Sequence, residues 1–465
     1  MKDRILKFII SLNIVGVIVC LFLSNYIVFD GFEHIKISYL VSEGYVPYRD
    51  FFEHHHPLLW YMFAPIMYIL PHNFALAYYV SRIFSLIFSC IMLFIIGKII
   101  NRFLGGKDII LYFLIILFMF FPMWFCISHL KPDIIARVFY FLGLYYFFCY
   151  AEKFQTKDMV YCAISFTFAF LTLQNIIISI FPLVVPVVYL WTKQKKIIKD
   201  IAVSSIIPLT IIASIVVVYV VYDIWEPYFQ LNWILNAHLF EYMHIYEGSV
   251  FMRWKYPVLI GLGTWLWQIK KHQASFYTNT IGLLCIAEIV QHLYFKAVFH
   301  HYLIILFIFL AMLAAPVAAS IKNKIASIVM LIATLVIFGL NFNYVWHYDT
   351  QIFPKVKALN PKEDEYIFNE CFRYVNVYSK KISYYQLFSM MAQIDNILFN
   401  RYPDYDVNEF IETNKVKYLD YINIPKKYRD PSDFNEFSRF KISDETLSKY
   451  EEVEPALWRR KEEYQ

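Results

Sequence analysis

The sequence predicts an α-helical polytopic membrane protein, with about 11 transmembrane helices and a small extracytoplasmic α/β C-terminal domain. Of its 465 residues, 59% are hydrophobic and 17% are charged, whereas soluble domains are about half apolar and about a quarter charged. Long apolar runs recur through residues 1–345. Charged residues make up about a third of residues 346–465, which predicts a separate soluble domain there. This composition excludes a soluble enzyme, a disordered protein and a fibrous protein.

The first transmembrane helix is predicted close to the N-terminus. Basic residues lie within Met1–Lys7, and a mostly apolar run continues to Phe29. This run is longer than the core of a signal peptide, so we expect an uncleaved helix with a cytoplasmic N-terminus. The other spans are predicted at residues 74–100, 109–127, 133–151, 159–173, 175–191, 200–222, 256–269, 276–295, 302–319 and 325–344.

The loops between the spans predict the orientation. With the N-terminus inside, each cytoplasmic loop carries at least two basic residues, as the positive-inside rule requires. These residues are Lys98, Arg102, Lys107, Lys153, Lys157, Lys193, Lys195, Lys196, Lys199, Lys270, Lys271, Lys322 and Lys324. An odd number of spans in the inner or plasma membrane then places residues 346–465 outside the cytoplasm.

Two segments of the soluble tail have local patterns. Glu365–Asn376 has helical spacing and Val416–Ile424 has strand character, so a mixed α/β fold is predicted. The cysteine spacing predicts neither a disulfide framework nor a zinc module. No basic cluster with a matching motif is present, so we expect no nucleic-acid partner.

The first outer loop, residues 30–72, is predicted to contain two helices at the membrane surface. The first has an apolar face that leaves Lys36 on another side, which is typical of an interfacial helix. That face holds Phe32, Ile35, Tyr39 and Leu40. The segment from Leu58 to Leu70 is short for a span, and we interpret it as a second interfacial or re-entrant helix.

The two spans that meet at Gln174-Asn175 are short. Residues 159–173 would reach only about 22 Å as a helix, against a hydrocarbon core of about 30 Å. This pattern indicates either a water-filled recess on the outer side or a kinked helix pair with local membrane thinning. The aromatic-rich second outer loop, residues 223–255, is expected to order on substrate binding.

The densest polar group lies in the first outer loop. Carboxylates and imidazoles at a membrane surface suit a general base or a divalent-cation site. The candidate metal ligands are Asp30, Glu33, Asp50, His54, His55 and His56. The alternative is a solvated loop whose acids cap helices, and Asp30 directly after the first span suits an N-cap as well.

Two further polar groups are predicted on the outer side. In the first, Asp133 and Arg137 are spaced for a structural ion pair, and Lys131 suits an anion or the membrane interface. The second polar group is suited either to binding a phosphate or to anchoring the chain at the membrane interface. It contains Lys296, His300, His301 and Tyr302.

These motifs resemble the GT-C glycosyltransferases, and in particular the protein O-mannosyltransferases and lipid A aminoarabinose transferases. The resemblance rests first on an Asp after the first span and on the loop EGYVPYRDFFEHHHPL. Lys131-Pro132-Asp133 resembles a basic-Pro-Asp element of the family, and His301-Tyr302 resembles its late polar-Tyr element. The first-loop residues concerned are Asp30, Gly44, Pro47, Tyr48, Arg49, Asp50, His56 and Pro57.

The resemblance implies an enzyme that moves a hexosyl or pentosyl group from a polyprenyl-phosphate-linked donor to an acceptor hydroxyl at the outer face. It implies a single inverting displacement with Asp30 as general base, on a glycan, lipid or protein acceptor among membrane lipids. It implies no certain cofactor and leaves a divalent cation open. The implied donor-binding residues are Arg49, Asp50, His56, Lys131, His300, His301 and Tyr302, with Glu33, Glu53 and Asp133 in support.

Three alternatives differ in where they need polar residues. A transporter or flippase of lipid-linked sugars places ionisable residues at mid-membrane, often in repeated halves. Here the singled-out residues lie at the outer edge, and no repeat is visible. An outer-leaflet glycan polymerase or ligase more often keeps its key arginines in a large late outer loop, where this chain has only Arg253. A receptor would leave the Asp30 loop without a role.

Overall fold

The structure is a computed structural model of the full chain. It describes residues 2–22, 29–70, 74–119, 129–237, 249–294, 303–321, 332–336, 339, 367–369, 380, 406–420, 442–454 and 457–464. The described part is mostly helical, and its extended strands all lie after residue 366. Both features confirm the predicted helical class with a small C-terminal sheet.

The helices follow the predicted apolar runs closely. Phe181–Leu183 forms a 3₁₀ turn between α8 and α9, and Gln230–Leu235 forms a π-helical turn after α11. The bounds are α1 Lys2–Phe22, α2 Phe29–Ser42, α3 Leu58–Ile69, α4 Phe74–Phe103, α5 Lys107–Met119, α6 Pro132–Lys153, α7 Thr156–Thr172, α8 Ile176–Ile180, α9 Val184–Lys193, α10 Lys196–Val221, α11 Trp225–Phe229, α12 Ser249–Lys270, α13 Phe276–Tyr294 and α14 Ile304–Ser320.

Four helical segments of the described chain are long and apolar enough to cross a membrane. They lie in α4, α6, the continuous run of α8 and α9, and α10. α3 and α14 are also apolar but shorter. These segments support a membrane protein with several spans, while the total of about 11 stays a prediction.

One compact unit contains residues 1–24, 81–217 and 243–348, and α14 forms its core. Every residue from Ile304 to Ala315 is buried, and α14 packs on α5, α12 and α13. A Cβ added at Gly261 of α12 would lie 2.3 Å from Cδ2 of Leu310. Small residues let membrane helices approach closely, which explains a glycine at this crossing.

The predicted break at Gln174-Asn175 is confirmed in the same unit. α7 ends at Thr172, the polar pair forms the turn, and α8 begins at Ile176. The side chain of Gln174 is buried in this turn. At the opposite end of α7, Thr156 and the nearby Tyr150 of α6 both donate to the buried carboxylate of Asp200, each at 2.9 Å.

The second compact unit contains residues 25–80, 218–242 and 349–465. In it α2 packs on α3, and α3 confirms the short helix predicted after Pro57. The prediction of a one-sided α2 is wrong, because residues 34–40 are all buried. Lys36 is only 1% exposed, so tertiary packing has enclosed the side that the sequence pattern assigned to solvent.

Lys36 provides a test of this burial, because desolvation lowers the pKa of its ammonium to about 7. An unfolded lysine keeps its proton up to a pH of about 10.4, so folding releases a proton between these values. We expect Lys36→Met to raise the free energy of unfolding by on the order of 4 kcal/mol at pH 7, and by progressively less toward pH 10. The Tm should rise accordingly, most at pH 7. Thermal unfolding in detergent across this range measures the difference.

The matched control for this experiment is Lys157→Met, which removes an exposed lysine on α7. It should leave the Tm nearly unchanged at every pH. A Lys36→Met effect that did not depend on pH would contradict the neutral buried lysine.

The C-terminal residues form a small mixed sheet with two short helices. The strands are β1 Ile367–Asn369, β2 Tyr418–Asp420, β3 Tyr450–Glu454 and β4 Leu457–Arg460, in the order β1-β2-β4-β3. β1 runs parallel to β2, and the other neighbours are antiparallel. The helices are α15 Val407–Thr413 and α16 Asp444–Ser448, capped by the side chains of Asp406 and Ser443.

The tail predictions have mixed outcomes. The strand predicted within Val416–Ile424 is confirmed by β2, but the helix predicted over Glu365–Asn376 is wrong where β1 lies. Pairing of Ile367 with Tyr418 explains the difference, because strand preference depends on the neighbouring strand more than on local spacing. The domain boundary at residue 345 stays a prediction.

Candidate functional site

The turn that follows α2 carries the Pro-Tyr-Arg-Asp motif. Gly44 has a φ of +93°, a conformation that favours glycine, and it ends the helix. Oδ2 of Asp50 accepts a hydrogen bond from the backbone N–H of Val46 at 2.7 Å, which closes the turn. Arg49 Nε lies 2.8 Å from Oδ1 of Asp50, and this hydrogen bond holds the pKa of the carboxyl below its ordinary value. The structure therefore brings Arg49 and Asp50 together as an ion pair that braces the turn.

Tyr48 anchors this turn in a strained conformation. Its φ is +70°, and left-handed backbone in a bulky residue costs on the order of 1–3 kcal/mol. The buried hydroxyl donates to the backbone carbonyl of His55 at 2.5 Å. Its ring packs against Tyr219 and Tyr228, with ring centres 6.2 and 5.4 Å away. These contacts hold the strained residue and tie the turn to the histidine run.

The histidine run contacts the helical segment of the second outer loop. His56 is 2% exposed, and its Nε2 lies 2.9 Å from the hydroxyl of Tyr228 on α11. The side-chain amide of Asn236 donates to the carbonyl of His54 at 2.7 Å. The sequence did not single out Tyr228 or Asn236. The only signal for them was the aromatic and polar composition of residues 223–255.

Glu53, His54 and His55 form a compact group, which we call the Glu53–His cluster. Oε1 of the fully buried Glu53 accepts from the backbone N–H groups of His54 and His55, at 2.8 and 3.1 Å. Nδ1 of His55 lies 2.7 Å from the same oxygen, and Nδ1 of His54 lies 3.6 Å from it. Burial raises the pKa of the Glu53 carboxyl, but the charges and hydrogen bonds of the two histidines outweigh it and lower the net pKa.

The other unit holds the Lys-Pro-Asp motif at the start of α6. Lys131 occupies the N-cap position in extended conformation, and Pro132 is the first helical residue, as its fixed φ favours. Nη2 of Arg137 lies 3.1 Å from Oδ1 of Asp133, and both side chains are buried. This contact confirms the ion pair predicted from their spacing.

A buried arginine of α4 contacts His129, two residues before this motif. Nη2 of Arg82 lies 3.3 Å from Nε2 of His129, and Nη1 donates to the carbonyl of Leu21 at 2.8 Å. Ser85, one turn further along α4, donates to the carbonyl of His129 at 2.7 Å. The polar segment before α6 is thus held on α4 by side chains facing the protein interior.

The comparison with known families covers the histidine run and the Lys-Pro-Asp motif, but not the Pro-Tyr-Arg-Asp motif. Residues 54–219 match the family described as dolichyl-phosphate-mannose-protein mannosyltransferase. The family resemblance is confirmed. No curated protein matches the chain closely enough to add to this.

The match to this mannosyltransferase family indicates a membrane glycosyltransferase whose donor is a sugar linked to polyprenyl phosphate. It indicates a lipid-linked donor and a glycan or protein acceptor as partners. The matched segment begins with the histidine run and contains α3 to α9 and most of α10.

The mannosyltransferase-like segment and its surroundings contain buried charged residues that the sequence motifs did not predict. Arg82 was assigned to an apolar span, and so was Glu288, whose Oε2 lies 3.6 Å from Nε2 of His292 on α13. Glu288 is also close enough to Arg137 for their charges to interact. A single charge in an otherwise apolar run was the signal, because such residues are expensive in a membrane and usually face the protein interior.

Several predicted site residues lie outside the described part of the chain. Asp30 belongs to the first turn of α2, but its side chain is not among the described atoms. The late polar-Tyr element and Lys296 also lie outside the described residues. Glu33, one turn after Asp30, is half-buried on α2. The undescribed residues of the late element are His300, His301 and Tyr302.

Proposed function

We propose that this chain transfers a sugar from polyprenyl phosphate to an acceptor hydroxyl at the outer membrane face. The observation that carries the proposal is the family match over residues 54–219, which includes the first-loop histidines and the Lys-Pro-Asp motif. The predicted orientation places both motifs on the outer side, where the head group of a donor lipid is accessible.

The reaction is a single displacement at the anomeric carbon. The acceptor oxygen forms a bond to this carbon while the bond to the phosphate oxygen breaks, and the anomeric configuration inverts. Asp30 takes the proton of the acceptor hydroxyl as general base, and polyprenyl phosphate leaves as an anion. The transition state develops negative charge on that leaving phosphate, so nearby cations accelerate its departure. The cations that the family resemblance suggests for this role are Lys131, His300, His301 and Arg49.

The contacts of the first loop support its role in donor binding. The Tyr228 hydroxyl lies 2.9 Å from Nε2 of His56, and this contact fixes the orientation of the His56 ring in the first loop. Arg49 is exposed beside Asp50. A phosphate that carries more negative charge than the Asp50 carboxylate can attract the Arg49 guanidinium away from it.

Mass spectrometry and a transfer assay test the proposal. Lipids that co-purify with the detergent-extracted protein are identified, and polyprenyl-phosphate hexoses and pentoses are then supplied with acceptor glycans, lipids or peptides. We expect one donor to be consumed, free polyprenyl phosphate to appear, and NMR of the product to show the inverted anomer. Retention of configuration would refute the single displacement. Binding of the donor without bond cleavage, combined with its movement across vesicles, would replace the transferase by a transporter.

A further inference from the structure

The Glu53–His cluster has the donor set of a transition-metal site. One carboxylate oxygen and one ring nitrogen from each histidine lie within 4.8 Å of one another. In a tetrahedral zinc site with bonds of about 2.0–2.1 Å, neighbouring ligand atoms are roughly 3.3 Å apart. The 3.6 Å separation of His54 Nδ1 from Glu53 Oε1 already matches this spacing, and the 2.7 Å separation of His55 Nδ1 must widen by about half an ångström.

The burial of Glu53 supplies a second, independent observation. The side chain is fully buried, and its recorded ion-pair partners among the described residues are the two histidines. Oε2 is enclosed as well, and no described group donates a hydrogen bond to it. A buried carboxylate oxygen without a donor is costly, whereas a coordinated cation would satisfy both its charge and its lone pairs.

The backbone around the cluster holds the ligands in place. The carbonyls of His54 and His55 are fixed by Asn236 and Tyr48, and both N–H groups of the pair point to Glu53. The side chains of His54 and His55 are 22% and 24% exposed. The cluster therefore combines a rigid inner ligand with two ligands at an accessible edge, where a further coordination position can open.

We propose that Glu53, His54 and His55 bind one divalent transition-metal cation of the zinc type, with an open coordination position. The imidazole and carboxylate donors favour zinc or cobalt over magnesium and calcium, which prefer sites made entirely of oxygen ligands. Three protein ligands and one open position are the arrangement of catalytic zinc sites, whereas structural sites use four protein ligands. The open position receives an oxygen of the donor phosphate, and this second step rests on the proposed function.

Metal binding is measured on the full-length protein after treatment with a chelator. We expect one equivalent of Zn²⁺ by titration calorimetry and elemental analysis, and intense visible bands with Co²⁺ that indicate four-coordination. Glu53→Gln and His55→Gln should each weaken binding by about 100-fold or more. His272→Ala, which removes an exposed histidine after α12, is the matched control and should bind as the wild type does.

Folding is checked separately by the Tm of each metal-free variant. His55→Gln keeps a side chain of similar length at a partly exposed position, so it remains informative if Glu53→Gln does not fold. Wild-type protein that takes up no more Zn²⁺ or Co²⁺ than His55→Gln would overturn the proposal.

Farnesyl phosphate tests the open position on the Co²⁺-loaded protein. A shift of the visible bands, with inorganic phosphate producing a weaker one, is expected if a lipid phosphate completes the coordination. Unchanged bands in a protein that still transfers sugar would refute the phosphate contact and leave both the metal site and the transferase standing. Metal binding in a protein without any transfer activity would refute the proposed function alone.

Discussion

Asp30→Asn is expected to lower kcat for sugar transfer by about 10²–10⁴-fold, with little change in donor affinity. The substitution keeps the size of the side chain and removes only its ability to take a proton. The acceptor hydroxyl then attacks without a base, while the groups that hold the donor are untouched. The polyprenyl-phosphate sugar should accumulate on the purified variant, where mass spectrometry detects it and single-turnover kinetics give the rate.

Asp223→Asn is the matched control for this experiment. Asp223 is exposed in the second outer loop and has a φ of +56°, a conformation that asparagine also tolerates. Its substitution should leave kcat within about twofold of the wild type, since it removes a charge on the same predicted side of the membrane. Full transfer by folded Asp30→Asn would exclude Asp30 as the base and direct attention to Glu33 one turn later.

Arg137→Met should destabilise the protein by about 3–5 kcal/mol, because it breaks a buried ion pair and leaves its carboxylate uncompensated. It takes away the cation that lies 3.1 Å from Asp133 while both positions stay buried. The carboxylate of Glu288 also loses the positive charge with which it interacts. Thermal unfolding in detergent and the yield of monodisperse protein measure the loss.

The double variant Asp133→Leu/Arg137→Met distinguishes the contribution of this ion pair to stability from its contribution to sugar transfer. Replacing both partners removes the charge that Arg137→Met alone leaves behind, so part of the Tm should return. Adding Glu288→Gln should return more of it. If these variants regain both stability and transfer, Asp133 is structural. If stability returns without transfer, the pair also contributes to the reaction, as the Lys-Pro-Asp resemblance implies.

The apolar runs predicted most of the helices because a membrane helix must satisfy its own backbone, which leaves a long uninterrupted signal in the sequence. The same physics made the i, i+4 pair of Asp133 and Arg137 readable, since helical spacing alone brings the two side chains together. Lys36 shows where this reasoning stops. Its burial depends on which segments cover α2, and helical periodicity contains no information about that.

The first-loop site was predictable in composition but not in arrangement. The sequence identified the histidines and Glu53, yet it assigned His54, His55 and His56 to one group of candidate ligands. The structure places His54 and His55 on Glu53, while His56 faces Tyr228, which is 172 positions away in the chain. Contacts over such separations depend on tertiary packing, so local spacing could not distinguish the three rings.

The first loop is fastened through its main chain. The side chains of Asn236 and Tyr48 donate hydrogen bonds to the backbone carbonyl oxygens of His54 and His55, which every amino acid possesses. These two hydrogen bonds therefore do not depend on the side chains at positions 54 and 55. A substitution at either position changes the side chain that can bind a ligand and keeps the hydrogen bonds that hold the loop backbone. Natural selection or protein engineering can therefore change the ligand preference of this loop one residue at a time.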